Sequence, residues 1–385
     1  MKKTLLTTAI ISGLWVNAVT AQEAGFLAEI NSRLTYDDNI LRTSKAFEQS
    51  DTSLVVTPKL ELAGILGKQR FAVTYNGEYA NYFDNSDVNY ADHEFRIGAN
   101  FDHSNRLTSA FSVLYRDEHQ SLSQSNAISN TFTEFSRLSE KQINGQVAYG
   151  RQDSFGQLVL KLGHSELEFD EIEDAFRNYD RDLVSLAFYY RIAPRTRLLT
   201  QVEYQDYSYS PGAGFIDLDN EYIRYLVGVE WALTNQLDGT IKVGYQDRDY
   251  KLAGLQDSDG LSYEADLVWQ PNTYTAVSLA ANRMSTESDI ANTGAVLRTG
   301  YALSLTHELT KLTKLDAAVR YSKDDLSFNS TRQDKRHFVK LGVLHDLLTW
   351  VELGANISYE DRKSNVALAE YKVNSVNLTA KISFD

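Results

Sequence analysis

The sequence predicts an all-β fold, a transmembrane antiparallel up-and-down β-barrel of about 18 strands with short periplasmic turns and long external loops. Three observations predict it: an N-terminal export signal, a sustained apolar–polar alternation, and connections that are alternately short and long. The composition agrees, because 23 tyrosines and only 4 prolines among 385 residues favour β structure. With no cysteine in the chain, disulfide frameworks, thiolate metal sites and cysteine nucleophiles are excluded.

The N-terminus reads as a secretory signal peptide covering residues 1–21, followed by a single barrel domain over residues 22–385. Two lysines precede an apolar segment at residues 4–16, and Val19-Thr20-Ala21 supplies small residues before the cleavage point. The apolar segment is shorter than the about 20 residues that a membrane-spanning helix needs. We therefore expect export and a location in the bacterial outer membrane, rather than an N-terminal anchor helix.

From Gly25 onward the dominant period is two. Each alternating run holds roughly ten residues, the length of a tilted strand that crosses a bilayer and longer than a typical soluble strand. A large soluble β-sandwich is the structural alternative, and it would give shorter strands. In residues 261–269, for example, Leu261, Tyr263, Ala265, Leu267 and Trp269 alternate with Ser262, Glu264, Asp266 and Val268.

The connections between these runs divide into eight short turns and nine long polar loops, which join an even number of strands. Both termini are therefore expected on the side of the short turns, as in outer-membrane barrels. Pro58 falls inside the second predicted strand. Because proline cannot donate a ladder hydrogen bond, we expect a β-bulge there.

If the apolar faces meet lipid, the opposite registers line a lumen. Positive and negative side chains occur there in similar numbers, which predicts weak selection by charge. The alternative for most of them is pairing across strands that stiffens the wall. The candidate lumen-lining residues are Arg70, Glu94, Arg96, Arg116, Arg224, Glu230, Lys242, Arg248, Glu264, Asp266, Arg298, Arg320 and Lys340.

A short repeat marks the strands that enter long loops: a tyrosine, then a charged or amide residue, then an aspartate. Its copies are Tyr36-Asp37-Asp38, Tyr115-Arg116-Asp117, Tyr204-Gln205-Asp206, Tyr245-Gln246-Asp247 and Tyr359-Glu360-Asp361. Tyrosine favours the membrane interface, so the repeat predicts an aromatic girdle in contact with lipid and lipopolysaccharide. A calcium-bridged contact between the aspartates and lipopolysaccharide is the narrower alternative. The candidate girdle residues are Tyr36, Tyr79, Tyr115, Tyr204, Tyr245, Tyr321 and Tyr359.

Five more tyrosines lie near the predicted mouth and either stack on sugar rings or join the girdle, the second being the favoured interpretation. These are Tyr82, Tyr207, Tyr209, Tyr222 and Tyr250. The longest external loop, the third, is polar and long enough to fold into the mouth. It predicts a constriction, with Ser121, Ser123, Asn126 and Asn130 as candidate residues.

No catalytic, cofactor or metal site is predicted, and the chain is not expected to be an enzyme. Seven histidines are scattered without metal-ligand spacing, and no nucleophile or nucleotide motif is present. The weak exception is a rim hydrolase built on His119 beside Asp117 and Glu118. The net charge of −14 argues against a nucleic-acid partner, because such partners need a basic surface.

The N-terminal third resembles the putative β-barrel porin 2 family of bacterial outer-membrane proteins. The residues that carry the resemblance are Leu34-Thr35-Tyr36-Asp37-Asp38-Asn39-Ile40, Ser50-Asp51-Thr52, Thr57-Pro58, Tyr75-Asn76-Gly77-Glu78-Tyr79-Ala80-Asn81-Tyr82, Asp84-Asn85-Ser86-Asp87 and Asp92-His93.

The resemblance implies a pore for export of exopolysaccharide or capsule, as in biofilm formation, with polysaccharide-export proteins and the polymer as partners. A non-conducting scaffold barrel and a general diffusion porin are the alternatives. Phe384 is the candidate C-terminal signal for the barrel assembly machinery. It departs from the usual barrel ending because Asp385 follows it.

Overall fold

The computed structural model describes residues 24–384 apart from 124, 129–134, 235, 256 and 327–331. Within this part of the chain, 18 antiparallel strands form one sheet, and β1 also pairs with β18, so the sheet closes into a barrel. The predicted fold class and strand number are confirmed. The strands are β1 (Gly25–Asp37), β2 (Asp51–Leu66), β3 (Gln69–Tyr82), β4 (Tyr90–Asp102), β5 (Leu107–His119), β6 (Arg137–Tyr149), β7 (Gly156–Phe169), β8 (Tyr179–Ala193), β9 (Thr196–Tyr209), β10 (Asn220–Thr234), β11 (Leu237–Tyr250), β12 (Ser258–Asn272), β13 (Thr275–Thr286), β14 (Val296–Glu308), β15 (Thr313–Leu326), β16 (Gln333–Leu348), β17 (Val351–Ser364) and β18 (Tyr371–Phe384).

The pairing register fixes the size of the barrel. Following paired residues once around the sheet returns to β1 about 22 residues out of register, which for 18 strands gives a tilt of about 40° and a backbone radius of about 18 Å. At this tilt about ten residues cross an apolar band of roughly 25 Å. The strands have 12 to 16 residues, so they extend beyond the band.

The two faces of the wall differ in the way the alternation predicts. On β1, Phe26, Ile30 and Leu34 are exposed on the outer surface. The buried side chains that fill the inside are largely polar, and they include Arg224, Gln246 and Arg248. The hydrophobic surface of this molecule is therefore on the outside, where lipid covers it, and the core is a polar lumen.

Short turns gather at one end of the barrel and long loops at the other. The turns are residues 67–68, 103–106, 150–155, 194–195, 235–236, 273–274, 309–312 and 349–350. The loops, named L1 to L9, are residues 38–50, 83–89, 120–136, 170–178, 210–219, 251–257, 287–295, 327–332 and 365–370.

The loops contain the only helical segments of the described chain, four short 3₁₀ helices at Lys45–Phe47, Ser86–Val88, Ile172–Arg177 and Ala367–Ala369. In the ranges that the structure describes, no helix has the length and apolar character needed to span a membrane.

The bulge expected at Pro58 does not form. Pro58 pairs with Ile30 on one side, and the register with β3 is the same before and after it, through Val56 with Tyr79 and Lys59 with Asn76. The ladder simply lacks two pairs at this point, and Gly77 lies across from Pro58. Tyr75 and Tyr79 cover Gly77 and share a hydrogen bond of 2.9 Å. The sheet therefore accommodates Pro58 opposite a glycine that is covered by two tyrosine rings, and not by the extra residue of a β-bulge.

Candidate functional site: the lumen and loop L3

The lumen wall carries a lattice of charged side chains from successive strands. Arg224 on β10 donates to Glu203 on β9 at 2.9 Å and also to Glu264 on β12. Lys242 on β11 donates to Glu264 at 2.7 Å. All four side chains are buried, so each charge depends on its neighbours rather than on water. Asp266 lies one inward position further along β12.

A second lattice lines the wall from β4 to β6. Arg116 donates to Glu140 at 2.6 Å and to Glu118 at 3.1 Å. Arg96 lies 3.6 Å from Glu94. These ion pairs join neighbouring strands or neighbouring inward positions. The charged side chains therefore line the lumen and also stiffen the wall by pairing with one another.

The remaining predicted lumen residues also lie on inward registers, with different partners. Arg298 makes a two-pronged contact with Asp324, at 2.8 and 2.9 Å. Lys340 lies 2.7 Å from Asp316. The other four are Arg320 over the Phe338 ring at 4.0 Å, Glu230 accepting from Arg197 at 2.6 Å, Arg248 bound to Glu287, and Arg70, exposed toward the turn end of β3.

Inside the barrel lies a cavity of about 730 Å³. Its lining combines charges of both signs with amides, hydroxyls and tyrosine rings. The carboxylates are Glu78, Asp92, Glu94, Glu118, Glu203, Glu264, Glu287 and Asp289, and the cations are Arg116, Lys161, Arg177, Arg181, Arg224, Lys242 and Arg298. The uncharged groups include Gln201, Gln205, Ser185, Tyr179, Tyr207 and Tyr222.

Loop L3 reaches across the lumen to the opposite wall. L3 connects β5 to β6, and we define its tip as Ser123 and residues 125–127. The tip contacts β16 and β17. Arg336 donates to the Ser125 carbonyl at 2.7 Å and to the Asn126 side chain at 2.6 Å. Arg362 donates to the same Ser125 carbonyl at 2.8 Å. Ser125 and Asn126 are each only 2% exposed, so the tip is enclosed.

Further contacts hold the tip to other loops and strands. The Asn126 backbone N–H donates to Asp289 of L7 at 2.6 Å. The Ser123 hydroxyl donates to Glu360 of β17 at 3.0 Å and accepts from Arg42 of L1 at 3.2 Å. L3 is therefore fixed from several sides of the mouth.

The base of L3 is held by apolar packing. Leu122 and Phe135 pack on a buried cluster formed by Ile40 and Leu41 of L1 and Val88 of L2. Ser121, a predicted constriction residue, lines the cavity, while Asn130 lies outside the described residues. L1, L2 and L3 thus form one packed unit at the mouth.

Loops L4 and L7 complete the rim of the cavity. Arg177 of L4 donates to Gln120 of L3 at 2.9 Å. Burial lowers the pKa of Arg177, with the carboxylates of Asp289 and Asp174 opposing the shift, and the guanidinium remains protonated at neutral pH. Glu287 of L7 accepts from Arg248 and from Tyr209 on the wall.

The five mouth tyrosines do not belong to the lipid girdle, so the favoured interpretation of them was wrong. Tyr207 and Tyr222 are 4% and 3% exposed and line the cavity. Tyr209 donates to Glu287, Tyr82 packs on the L1–L2 cluster, and Tyr250 occupies an inward position on β11. Each lies an odd number of residues from the outward-facing tyrosine of the same strand, which places it on the other face.

The predicted girdle tyrosines lie on the outward registers near the loop end. Tyr36, Tyr79, Tyr115, Tyr245 and Tyr359 are exposed there, and Tyr321 contacts Tyr301 with ring centroids 6.3 Å apart. Tyr204 occupies the equivalent outward position on β9. In the four copies that lie wholly within a strand, the tyrosine and the aspartate share the outward register and the middle residue has the inward one.

His119, the candidate for a rim hydrolase, contacts Asp92 at 2.6 Å and stacks on Tyr90 with centroids 3.7 Å apart. These contacts bind the end of β5 to β4, which is a structural role. The parts of the chain that the structure describes contain no group of three or more His, Cys, Asp or Glu side chains able to hold a metal ion.

Five residues that hold the L3 tip were not among the predicted site residues: Arg42, Asp289, Arg336, Glu360 and Arg362. The strand pattern could have indicated three of them, because Arg336 shares the inward register of Lys340, and Glu360 and Arg362 share that of Glu352. Nothing in the local sequence indicates that their partner is a loop from the other side of the barrel.

The closed barrel, its outward apolar face and its polar lumen define a porin-like β-barrel of the outer membrane. The chain belongs to the family described as Putative beta-barrel porin 2, whose family model matches residues 26–384. Among curated proteins, none matches this chain.

Solved structures of outer-membrane barrels share the fold at low sequence identity. The outer membrane protein OpdK from Pseudomonas aeruginosa is 10% identical, with 94% of this chain and 99% of that chain covered and a TM-score of 0.51. OpdK with vanillate, from the same organism, is 10% identical with a TM-score of 0.50, covering 93% and 99%. The apoprotein form of the FrpB iron transporter from Neisseria meningitidis is 10% identical, covers 94% and 81%, and has a TM-score of 0.50. At such identities these similarities show the fold alone.

Proposed function

We propose that the protein is an outer-membrane channel with a mouth restricted by L3, and that it serves the export of an exopolysaccharide or capsular polymer. The observation that carries the channel is the L3 tip, held against β16 and β17 at the mouth of a polar cavity of about 730 Å³. The protein itself reaches the outer membrane after cleavage of the signal peptide, residues 1–21. The proposal includes no catalytic step.

The lining of the cavity supports a carbohydrate. Saccharides are recognised by hydrogen bonds to many hydroxyls together with stacking on aromatic rings. Gln201, Gln205 and Ser185 supply amide and hydroxyl groups, and Tyr207 and Tyr222 supply rings on the same wall. Assignment to exopolysaccharide or capsule comes from the family resemblance, and a polymer would pass only when L3 is displaced.

A mouth occupied by L3 is also compatible with a non-conducting scaffold barrel of an envelope polysaccharide assembly. The test must therefore separate a channel from a scaffold. We would compare the single-channel conductance of the wild-type protein with that of a variant lacking residues 120–131, reconstituted in planar bilayers. For a channel restricted by L3, the deletion raises the conductance, and saccharide oligomers block the enlarged current.

The controls are a substituted exposed loop and a folding assay. Replacing residues 252–254 of L6 by serines changes a loop that does not contact the L3 tip among the described residues, and it should leave the conductance unchanged. A folded deletion variant with wild-type conductance would contradict restriction by L3. If neither folded protein conducts, the scaffold is the correct function, and a large conductance in the unmodified protein would instead indicate a general diffusion porin.

A further inference from the structure

We propose that Arg336 and Arg362 form a binding site for a carboxylate of the transported saccharide, which makes the substrate a uronic-acid-containing polymer. The L3 tip occupies this site when the mouth is closed. The inference rests on the proposed channel function and names its substrate class.

The geometry shows two guanidinium groups directed at one uncharged oxygen. Arg336 and Arg362 reach the Ser125 carbonyl at 2.7 and 2.8 Å. Both side chains are buried, with the Arg336 residue 8% exposed and Arg362 3% exposed. A main-chain carbonyl carries no net charge, so this oxygen leaves most of the positive charge of the pair unneutralised.

The carboxylates that form hydrogen bonds with the pair do not make up the difference. Among the described residues, every hydrogen bond that Arg362 donates goes to a main-chain carbonyl, those of Ala369, Ser125 and Ala127. Arg336 contacts Asp324, but Asp324 also receives the two-pronged contact from Arg298. Arg298 and Arg336 therefore share the Asp324 carboxylate, and Arg362 donates to no carboxylate among the described residues.

One nitrogen of the arginine pair itself has no hydrogen-bond partner among the described residues. The Nε of Arg336 is buried without a hydrogen bond among the described residues, which is costly for a charged group. Buried native polar groups are nearly all satisfied. The unpartnered Nε leaves the arginine pair with an unused donor for a further acceptor, in addition to its hydrogen bonds with the Ser125 carbonyl.

A carboxylate is that acceptor. The planar guanidinium fork matches a carboxylate with two parallel hydrogen bonds, and bonds between charged partners are roughly twice as strong as those between neutral ones. A uronate that enters the mouth would take the place of the Ser125 carbonyl. It would also free the Asn126 side chain from Arg336, so residues 125 and 126 of the L3 tip would lose their hydrogen bonds with Arg336 and Arg362 as the ligand binds.

The test uses the full-length reconstituted protein and galacturonate oligomers as the probe. The matched uncharged probe is a glucose oligomer of the same length, and acetate at the same carboxylate concentration represents the free anion. We expect the galacturonate oligomer to raise the fraction of time that the channel is open several-fold, and the other two probes to leave it unchanged.

Substitution of the arginines connects this response to the site. In Arg336→Gln and Arg362→Gln, L3 is released, so the channel should stay open without a ligand, and the apparent affinity for the galacturonate oligomer should fall about tenfold or more. Arg362→Lys keeps the positive charge but loses the planar guanidinium fork, so its apparent affinity for the galacturonate oligomer should lie between those of the wild type and Arg362→Gln. Lys372→Gln, which removes an exposed cation from β18, should behave as the wild type.

A second measurement covers the case in which the arginine variants do not fold. The chain has no cysteine, so Asn126→Cys with Asp289→Cys can be joined by a short cleavable cross-linker that holds L3 over intact arginines. The galacturonate response should vanish on cross-linking and return on cleavage.

The failures are distinguishable. A channel that conducts but responds equally to all three probes, or whose response survives in Arg336→Gln and Arg362→Gln, overturns the carboxylate site and leaves the channel in place. Absence of conductance in every folded variant would overturn the channel itself.

Discussion

Gly244 marks a point where two neighbouring strands approach too closely for any side chain. A Cβ at this position would overlap the Tyr225 carbonyl oxygen on β10, far inside the normal van der Waals contact distance. Main-chain atoms in a paired strand cannot move aside without losing ladder hydrogen bonds. The requirement for glycine here is set by the backbone of the partner strand, and not by the turn chemistry that usually explains glycine.

We predict that Gly244→Ala lowers the free energy of unfolding by about 1–3 kcal/mol, the cost typical of overpacking. Gly64→Ala on β2 is the matched control, because a Cβ there meets nothing within 4 Å. Urea titration, followed by heat-modifiable mobility on gels, measures both. Equal stability of the two variants would show that β10 and β11 can separate at no cost.

At the scale of elements, the strands and the loops depend on different interactions. The strands are held by continuous ladders, whereas L3 depends on a few side chains at its base and tip. Leu122 and Phe135 attach the base to the cluster of Ile40, Leu41 and Val88. Elements with few contacts open at low free-energy cost, so L3 can move while the barrel stays closed.

This difference predicts that Leu122→Ser increases the rate of proteolysis within L3 several-fold and leaves the strands resistant. The serine removes most of the apolar contact at the base of the loop. Leu252→Ser in L6, where the leucine is 41% exposed, is the control and should be cleaved like the wild type. Mass spectrometry of the first fragments locates the cut, and a cut within the strands would contradict the prediction.

How far the sequence predicts each element follows from the range of its interactions. Alternation is local, so the strands, the turn end and the inward positions of Arg224 and Glu264 follow from period two. The partners of Arg336 and Arg362 do not, because Ser125 is more than 200 residues away in the chain. Pro58 and the five mouth tyrosines were misjudged for a related reason, since a partner strand or a loop decided their environment.

At the scale of the whole molecule, charge is divided along the barrel axis. The external loops are acidic, as in L4 with Asp170, Glu171, Glu173 and Asp174. The periplasmic turns are mostly basic, and the cavity between them mixes both signs. The net charge of −14 therefore describes the loops more than the path of a solute. The basic turn residues are Lys68, Arg106, Arg151, Arg195 and Lys311, against Asp153.

We accordingly predict a potassium-to-chloride permeability ratio near unity for the channel opened by deletion of residues 120–131, in spite of the acidic composition. Reversal potentials under a tenfold gradient of potassium chloride measure it, with Glu264→Gln as a comparison that should shift the ratio toward chloride. Strong cation selectivity in the opened channel would show that the acidic loops, and not the lumen, control the current.

The seam between β1 and β18 brings together residues that are farthest apart in the chain. Thr35 donates to Asn377 at 2.6 Å across 342 positions, and Lys381 lies 2.9 Å from Glu29. A contact this distant is made only after the chain between has been ordered, because loop closure costs entropy before any contact compensates for it. Until the seam forms, both outer strands expose unpaired edges. During assembly, pairing of β1 with β18 therefore competes with pairing of either edge strand with another chain. An insertion machinery has to protect these edges until the barrel closes.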